Sequence, residues 1–256
     1  MALDSEKDLR QWRNRFRELA DKSFRRGVYT FTGFLGLGEQ EVFRRMEAQL
    51  RHVPYRFWGG MEDTERKILR FGSAEDLGYE EPYPISCIHM RPLSAKFSDT
   101  LSHRDFLGAL MNLGMERAAI GDIQAEEKQA YLFCLTSMAA YICENLNRVR
   151  QTAIRCDVTQ ETPRIAREQP RTEEILVSSL REDVLIAKVY HESRAEVLKH
   201  FAAGKVYRNG RLCEDPSQPL KRGDVVNVRG LGKFIVQEQL YETKKGKLCV
   251  KTAVYP

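Results

Sequence analysis

The chain has no long apolar run, no paired cysteines and no histidine cluster, and each absence closes off a class of function. No stretch approaches the ~20 apolar residues that carry a helix across a bilayer. The first 17 residues alternate charge with isolated apolar side chains, unlike the unbroken apolar core of a signal peptide. No membrane partner is expected. The six cysteines, Cys87, Cys134, Cys143, Cys156, Cys213 and Cys249, are widely spaced with no C-x-x-C pair. Zinc sites and disulfide frameworks rest on tight, repeated spacing, so these thiols read as reduced and mostly buried, in a cytoplasmic protein with no metal and no cofactor.

The motifs of nucleotide and group-transfer chemistry are missing as well. Gly33, Gly36 and Gly38 stand as G-x-x-G-x-G with no Gly-Lys-Ser or Gly-Lys-Thr after them, so they read as a turn and not as a phosphate loop. His103-Arg104-Asp105 has Leu110 where a kinase catalytic loop needs its metal-binding Asn, and no Asp-Phe-Gly accompanies it. Asp105 reads instead as part of a helix cap after Ser102, with Phe106 and Leu110 entering a core. No catalytic centre is legible, and a non-enzymatic protein is expected.

What is present is an ordinary globular composition, 42% hydrophobic and 30% charged over 256 residues, long enough for two or three small domains. The patterning predicts an α+β, multidomain chain. Residues 1–80 read as a small α/β region: a helix over 5–20 with Leu9, Trp12, Phe16 and Leu19 at helical spacing, a strand over 28–34, a helix over 39–50 and a short aromatic strand over 55–58. Trp58, beside Gly59-Gly60, reads as a packing wedge. Residues 81–160 follow the order β-α-β-β-α-β, with strands at 85–90, 119–124, 130–135 and 152–158 and helices at 103–113 and 137–149. In the second helix Met138, Tyr141, Ile142 and Leu146 are expected to face inward. That order is ferredoxin-like, and RNA-recognition domains share it. Tyr131 and Phe133 lie on one face of its third strand, where such domains stack bases, but the basic-glycine-aromatic signature of that strand is missing and core packing competes. Residues 161–177, with Thr162-Pro163 and Gln169-Pro170, read as a linker.

Residues 178–256 carry the information about function. They hold 15 Lys and Arg against 9 Asp and Glu, whereas the remaining residues hold 26 against 27. All the excess positive charge sits in the last third, which suggests a local polyanion-binding surface. Leu180, Val184 and Ala187 mark one helix face. After a break at His191-Glu192, Ser193 and Glu196 form a capping box for a second helix with Ala195, Leu198 and Phe201 inside and Gly204 at its end. Asn209-Gly210 is a strong hairpin signal. Two short helices on a small antiparallel sheet follow. The helix N-terminus at Ser193 and Arg194 favours a phosphate, and Arg181, Lys205, Arg208, Asn209, Arg211, Lys221 and Arg222 are the further candidate contacts. On this reading Arg194→Ala weakens binding without loss of stability.

At these residues the chain resembles the S4 RNA-binding domain: Ser179-Leu180-Arg181 through Asp183, then Ser193-Arg194-Ala195, Gly204-Lys205-Val206, Asn209-Gly210 and Gly223-Asp224 follow that domain's order and spacing. Glu182 departs from it, since the domain commonly has leucine there. Farther afield, Phe57-Trp58-Gly59-Gly60, Glu65-Arg66-Lys67, Leu101 through Leu110, Gly121-Asp122-Ile123 and Val228 through Phe234 look like the bacterial YlmH family. The resemblance implies an RNA-recognition-like middle domain, a C-terminal S4 domain, and association with the large ribosomal subunit carrying peptidyl-tRNA in translation quality control. Its partners would be rRNA or tRNA, with no DNA expected. An RNA-modifying enzyme of the pseudouridine synthase or methyltransferase type competes, but needs a Gly-Arg-Leu-Asp setting or a Gly-rich cofactor loop that the chain lacks. For a cell-division scaffold the sequence offers no physical feature.

Overall fold

The computed structural model describes residues 6–62, 64–94, 99–126, 128–161 and 170–255. The chain divides into two compact units, one spanning Arg10–Ile165 and the other Met1–Leu9 with Ala166–Pro256.

Helix α1 (Glu6–Arg26) carries acids in its first turn and arginines in its last, which suits the helix dipole. Strand β1 (Thr30–Leu35), helix α2 (Leu37–Met46), and strands β2 (Tyr55–Trp58) and β3 (Lys67–Phe71) follow. The three strands form one sheet in the order β1-β3-β2. Its central strand, β3, has no counterpart in the sequence reading. Ile68, Leu69 and Phe71 are fully buried and Arg70 nearly so, so no apolar–polar alternation marks it. The buried Arg70 guanidinium lies 4.7 and 5.0 Å from the ring centres of Tyr29 and Tyr83 and pairs with Glu80 at 2.6 Å. Gly33 lies within β1 and Gly38 within α2, with Gly36 at the helix cap, so this trio is not a turn.

After the single turn α3 (Ala74–Leu77) comes the middle domain: β4 (Ile85–Pro92), α4 (His103–Asn112), β5 (Ile120–Ala125), β6 (Ala130–Leu135), α5 (Thr136–Asn145), β7 (Arg148–Val149) and β8 (Thr152–Thr159). The sheet order β5-β6-β4-β8-β7, antiparallel throughout, is ferredoxin-like with one added edge strand. The Ser102–Asp105 capping box is present and Phe106 and Leu110 are fully buried, as the sequence reading expects. Helix α5 stops earlier than expected. Arg148–Val149 turns back as β7 through Arg150, whose φ is 52°, and Tyr141 is 42% exposed instead of facing inward.

The N-terminal sheet and the middle domain, divided near residue 80 in the sequence reading, pack as one body. Phe34, Ile68 and Phe133 share a buried cluster. A Cβ on Gly60 would lie 2.3 Å from Phe133 Cδ1, and one on Gly121 2.6 Å from Phe34 Cε1. Arg66 donates to the carbonyls of Phe34, Arg117 and Ile120, while the Asp122 carboxylate accepts from the Glu65 and Arg66 amides at 2.7 and 3.0 Å. Burial lowers the Arg66 pKa to about 10, so it remains charged at neutral pH.

The second unit contains β9 (Arg171–Val177), α6 (Glu182–Val189), α7 (Arg194–Ala202), β10 (Val206–Arg208), β11 (Arg211–Leu212), β12 (Val225–Val228), β13 (Gly232–Glu242) and β14 (Leu248–Tyr255). Its six-stranded sheet runs β11-β10-β12-β13-β14-β9. The expected linker is thereby corrected: Arg171–Val177 pairs along its whole length with β14. Only Ile175 and Val177 on this strand are buried, and charge in its first half hides the alternation. Residues 162–169, which include Thr162, Pro163 and Gln169 of that linker, lie outside the described residues. Helix α6 begins at Glu182, not near Ser179, and buries Leu185, Ile186 and Val189. The inner stripe of α7 is Val197 and Phe201, with Leu198 45% exposed. These side chains pack on Val206, Val226, Val228, Phe234, Val236 and Val250 from one face of the sheet.

Candidate nucleic-acid interface

The capping box at the start of α7 forms as the sequence predicts. Ser193 Oγ accepts from the Glu196 amide at 3.3 Å, and the Glu196 carboxylate accepts from the Ser193 amide and hydroxyl at 2.9 and 2.8 Å. These bonds hold the Glu196 carboxyl below the usual carboxylate range. The chain's own anion therefore occupies this helix N-terminus, which works against a phosphate in the same place. Ser193 is a structural cap.

Arg194 and Arg181 are arranged by a residue whose role the sequence reading missed. Arg181 grips Asp183 with two bonds, Nε to Oδ1 at 3.0 Å and Nη2 to Oδ2 at 3.1 Å, and Arg194 Nη2 donates to Oδ2 at 2.7 Å. The Asp183 side chain is fully buried, while those of Arg181 and Arg194 are 41% and 61% exposed. Burial pushes the Asp183 carboxyl up, but the hydrogen bonds and charges of the two arginines outweigh it, so its pKa falls below the ordinary value. Two guanidiniums thus share one hidden counter-ion and reach solvent side by side with a net positive charge. The Arg-x-Asp spacing at 181 and 183 is the sequence signal for this arrangement.

The loop before β12 extends the cationic surface. Its carbonyls at Gln218 and Pro216 accept from the Glu182 and Asp183 amides at the start of α6, and the Leu220 amide donates to Leu180. Arg181 forms a bridge with Pro219, and the exposed Lys221 and Arg222 follow. Arg208 is turned inward onto this loop, donating to Gln218 and the Pro219 carbonyl and lying 3.7 Å from the buried Glu182 carboxylate. Arg211 sits opposite Arg208 across the hairpin. Asn209, with φ of 51°, donates to Asp224 at 2.8 Å and accepts from the Val225 amide at 2.9 Å. Its amide pins the turn. Lys205 is exposed, but its carbonyl accepts from the Arg229 amide at the other end of β10, away from this loop. The structure therefore gathers Arg181, Arg194, Lys221 and Arg222 around one loop, commits Ser193, Arg208 and Asn209 to the scaffold, and sets Lys205 apart.

The middle domain's aromatic pair divides. Phe133 is 2% exposed, inside the cluster shared with the N-terminal sheet. Tyr131 is half-buried and stacks on His89 with ring centres 4.5 Å apart and planes 3° from parallel. His89 in turn meets Gln129 at 3.0 Å. Among the described residues no group of three or more His, Cys, Asp or Glu could hold a metal, and no helix is long and apolar enough to cross a membrane. All six cysteines are free thiols, four of them buried.

A cationic surface on a helix-and-sheet unit stands in one chain with a ferredoxin-like domain, an α+β architecture whose topology RNA-recognition domains share. Residues 80–162 match a family model described as "Putative RNA-binding domain in YlmH". The chain is 28% identical over 217 residues to ribosome-associated protein quality control protein P2 of Bacillus subtilis (strain 168), covering 84% of this chain and 83% of that protein. The solved structure of cell division protein ylmH from Streptococcus pneumoniae is similar with a TM-score of 0.47 and 19% identity, over 62% of this chain and 94% of that one. The chain is YlmH-like.

Proposed function

We propose that the protein is a non-enzymatic factor of translation quality control that binds structured rRNA or tRNA through residues 178–256, read as an S4 domain, on the large ribosomal subunit carrying peptidyl-tRNA. It would work in the cytoplasm. The observation that carries this reading is the pairing of Arg181 and Arg194 on the buried Asp183, with Lys221 and Arg222 exposed on the adjoining loop. Shared anchoring to a hidden carboxylate fixes two solvent-reaching guanidiniums in advance, so less rotamer entropy is lost when they meet phosphates. The resemblance to a ribosome-associated relative supports the same reading.

Sedimentation of cell extracts after induced ribosome stalling tests it. The protein should travel with large subunits that retain peptidyl-tRNA, and the Lys221→Ala/Arg222→Ala variant should shift to the top of the gradient. Purified protein should bind an rRNA hairpin with a log–log salt slope of roughly −2 to −4, for three to five phosphate contacts at ~0.7 each. A wild-type protein that stays at the top of the gradient would refute ribosome association. A covalent change in the bound RNA, read by its mass, would refute the non-enzymatic reading.

A further inference from the structure

The sheet of the second unit has another face, and its composition is distinctive. In an antiparallel ladder, directly paired residues project to the same side. The pairings Tyr207↔Asn227, Asn227↔Lys233 and Lys233↔Tyr255 therefore form one row across β10, β12, β13 and β14. Their neighbours Val206, Val226, Val228 and Phe234 point the other way, into the helix-packed core. At each end of the row a cation lies over a ring: Arg229 Cζ is 4.5 Å from the Tyr207 ring centre and Lys233 Nζ is 5.1 Å from that of Tyr255. Lys205, which stands apart from the helix-side surface, joins this one, because its carbonyl receives the Arg229 amide and its side chain is two residues from Tyr207. Asn227, Arg229 and Lys205 are exposed.

We propose that this face is a second RNA contact, specific for a single-stranded segment flanking the structured RNA. The inference rests on the RNA-binding reading above and adds a separate surface to it. Single-stranded nucleic acid is recognised where cations track the backbone and flat groups receive bases, and an arginine plane receives a base as an aromatic ring does. Tyr207 lies under the Arg229 guanidinium and Arg229 is exposed, so the plane is held where a base can stack on it. Lys205 and Lys233 supply backbone charge. With strands about 4.8 Å apart, a row of four spans roughly 14 Å, which is the reach of about two extended nucleotides. The site should therefore be short and tolerant of base sequence.

The test compares two RNAs with the full-length protein: a blunt hairpin, and the same hairpin with a four-nucleotide uridine extension at either end. Wild type should bind one of the extended forms about tenfold tighter than the blunt one. Arg229→Ala/Lys233→Ala should abolish that advantage, keep the blunt-hairpin affinity, and reduce the salt slope on the extended RNA by roughly 0.7, for the lost Lys233 backbone contact. Arg229→Lys, which keeps the charge without the plane, should lose the stacking part alone, and thermal unfolding of both variants should match wild type. Lys221→Ala/Arg222→Ala should weaken blunt and extended RNA alike and keep their ratio. Equal wild-type affinity for blunt and extended RNA would overturn this inference and leave the helix-side reading standing. A double variant that keeps the extension advantage would overturn it too. Binding to neither RNA would overturn both.

Discussion

The two larger sheets of this protein have the same architecture on one side and opposite fates on the other. Each carries two helices on one face. In the middle domain the opposite face is partly spent on the fold: Phe133, at a position where RNA-recognition domains stack bases, is sealed against Phe34 and Ile68 of the N-terminal sheet. Tyr131 next to it has a ring face taken by His89. In the second unit, the opposite face keeps exposed Asn227 and Arg229, and the helix side presents two arginines tethered to a buried acid. An aromatic in the right strand is therefore weak evidence for a nucleic-acid contact. A cation fixed by a hidden partner and open to solvent is stronger, because the cost of ordering it is met before the ligand arrives.

The largest expected effect tests the first half of that contrast. Phe133→Ala should cost about 3–5 kcal/mol of stability, as large-to-small substitutions of buried aromatics do, and leave the affinity of the folded protein for a hairpin RNA within about twofold. Urea unfolding and filter binding on the same preparation check both. Tyr131→Ala should likewise leave affinity within about twofold. A tenfold loss there, with stability retained, would move the principal RNA contact to the middle domain.

Arg194→Ala is next, and here the structure revises the sequence expectation. Affinity should still fall by roughly tenfold to a hundredfold, the value of one charge-assisted contact at about 1.5–3 kcal/mol. Stability should now fall as well, by about 1–2 kcal/mol, because Asp183 loses one of its two partners. The loss is modest because the guanidinium is largely solvated and Arg181 remains. In a double-mutant cycle with Asp183→Asn, the stability losses should be less than additive. Strict additivity would mean that the pair is not coupled and that Asp183 does not position Arg194.

Much of this was legible from residue patterns, and the exceptions have physical reasons. The β-α-β-β-α-β order, the Ser102 and Ser193 capping boxes, and the Asn209-Gly210 turn were readable because short-range chemistry fixes them. Strand β3 was not, since a strand buried on both faces has no alternation to read. Strand β9 was hidden because its partner, β14, lies at the far end of the unit's sequence and only two of its seven residues are buried. Of the candidate contacts, charge alone could not separate Arg194 and Lys221, which reach solvent, from Arg208, which the loop carbonyl at Pro219 and the Glu182 carboxylate draw inward. Nor could it show that Asn209 spends its amide on Asp224.

The smallest effect concerns the two adjacent carboxylates that the fold treats in opposite ways. Glu182 and Asp183 are both fully buried. Asp183 has two guanidiniums, whereas among the described residues Glu182 Oε2 has only the Cys213 thiol at 3.1 Å with Arg208 at 3.7 Å, and its Oε1 has no hydrogen-bond partner. Burial therefore dominates for Glu182 and raises its pKa above the ordinary 4.5, outweighing the Cys213 and Arg208 contributions. A carboxyl raised in the folded state contributes stability that is present below pH 4.5 and is lost as pH rises through the folded value. Asp183, lowered in the folded state, contributes stability present above its ordinary 3.8 and lost only as pH falls through the lowered value. Between pH 4.5 and 7.5 the two separate cleanly, because Asp183 stays charged throughout. Glu182→Leu should thus stabilise the protein at pH 7.5 by about 1 kcal/mol, by removing a buried, half-satisfied carboxylate. The gain should shrink as the pH falls toward 4.5, because the raised carboxyl takes up its proton more readily in the folded protein than in the unfolded chain. Urea midpoints of both proteins at the two pH values measure this directly. A variant destabilised equally at both would mean that Glu182 is held by its neighbours as firmly as Asp183 is, and that the contrast between the two acids is wrong.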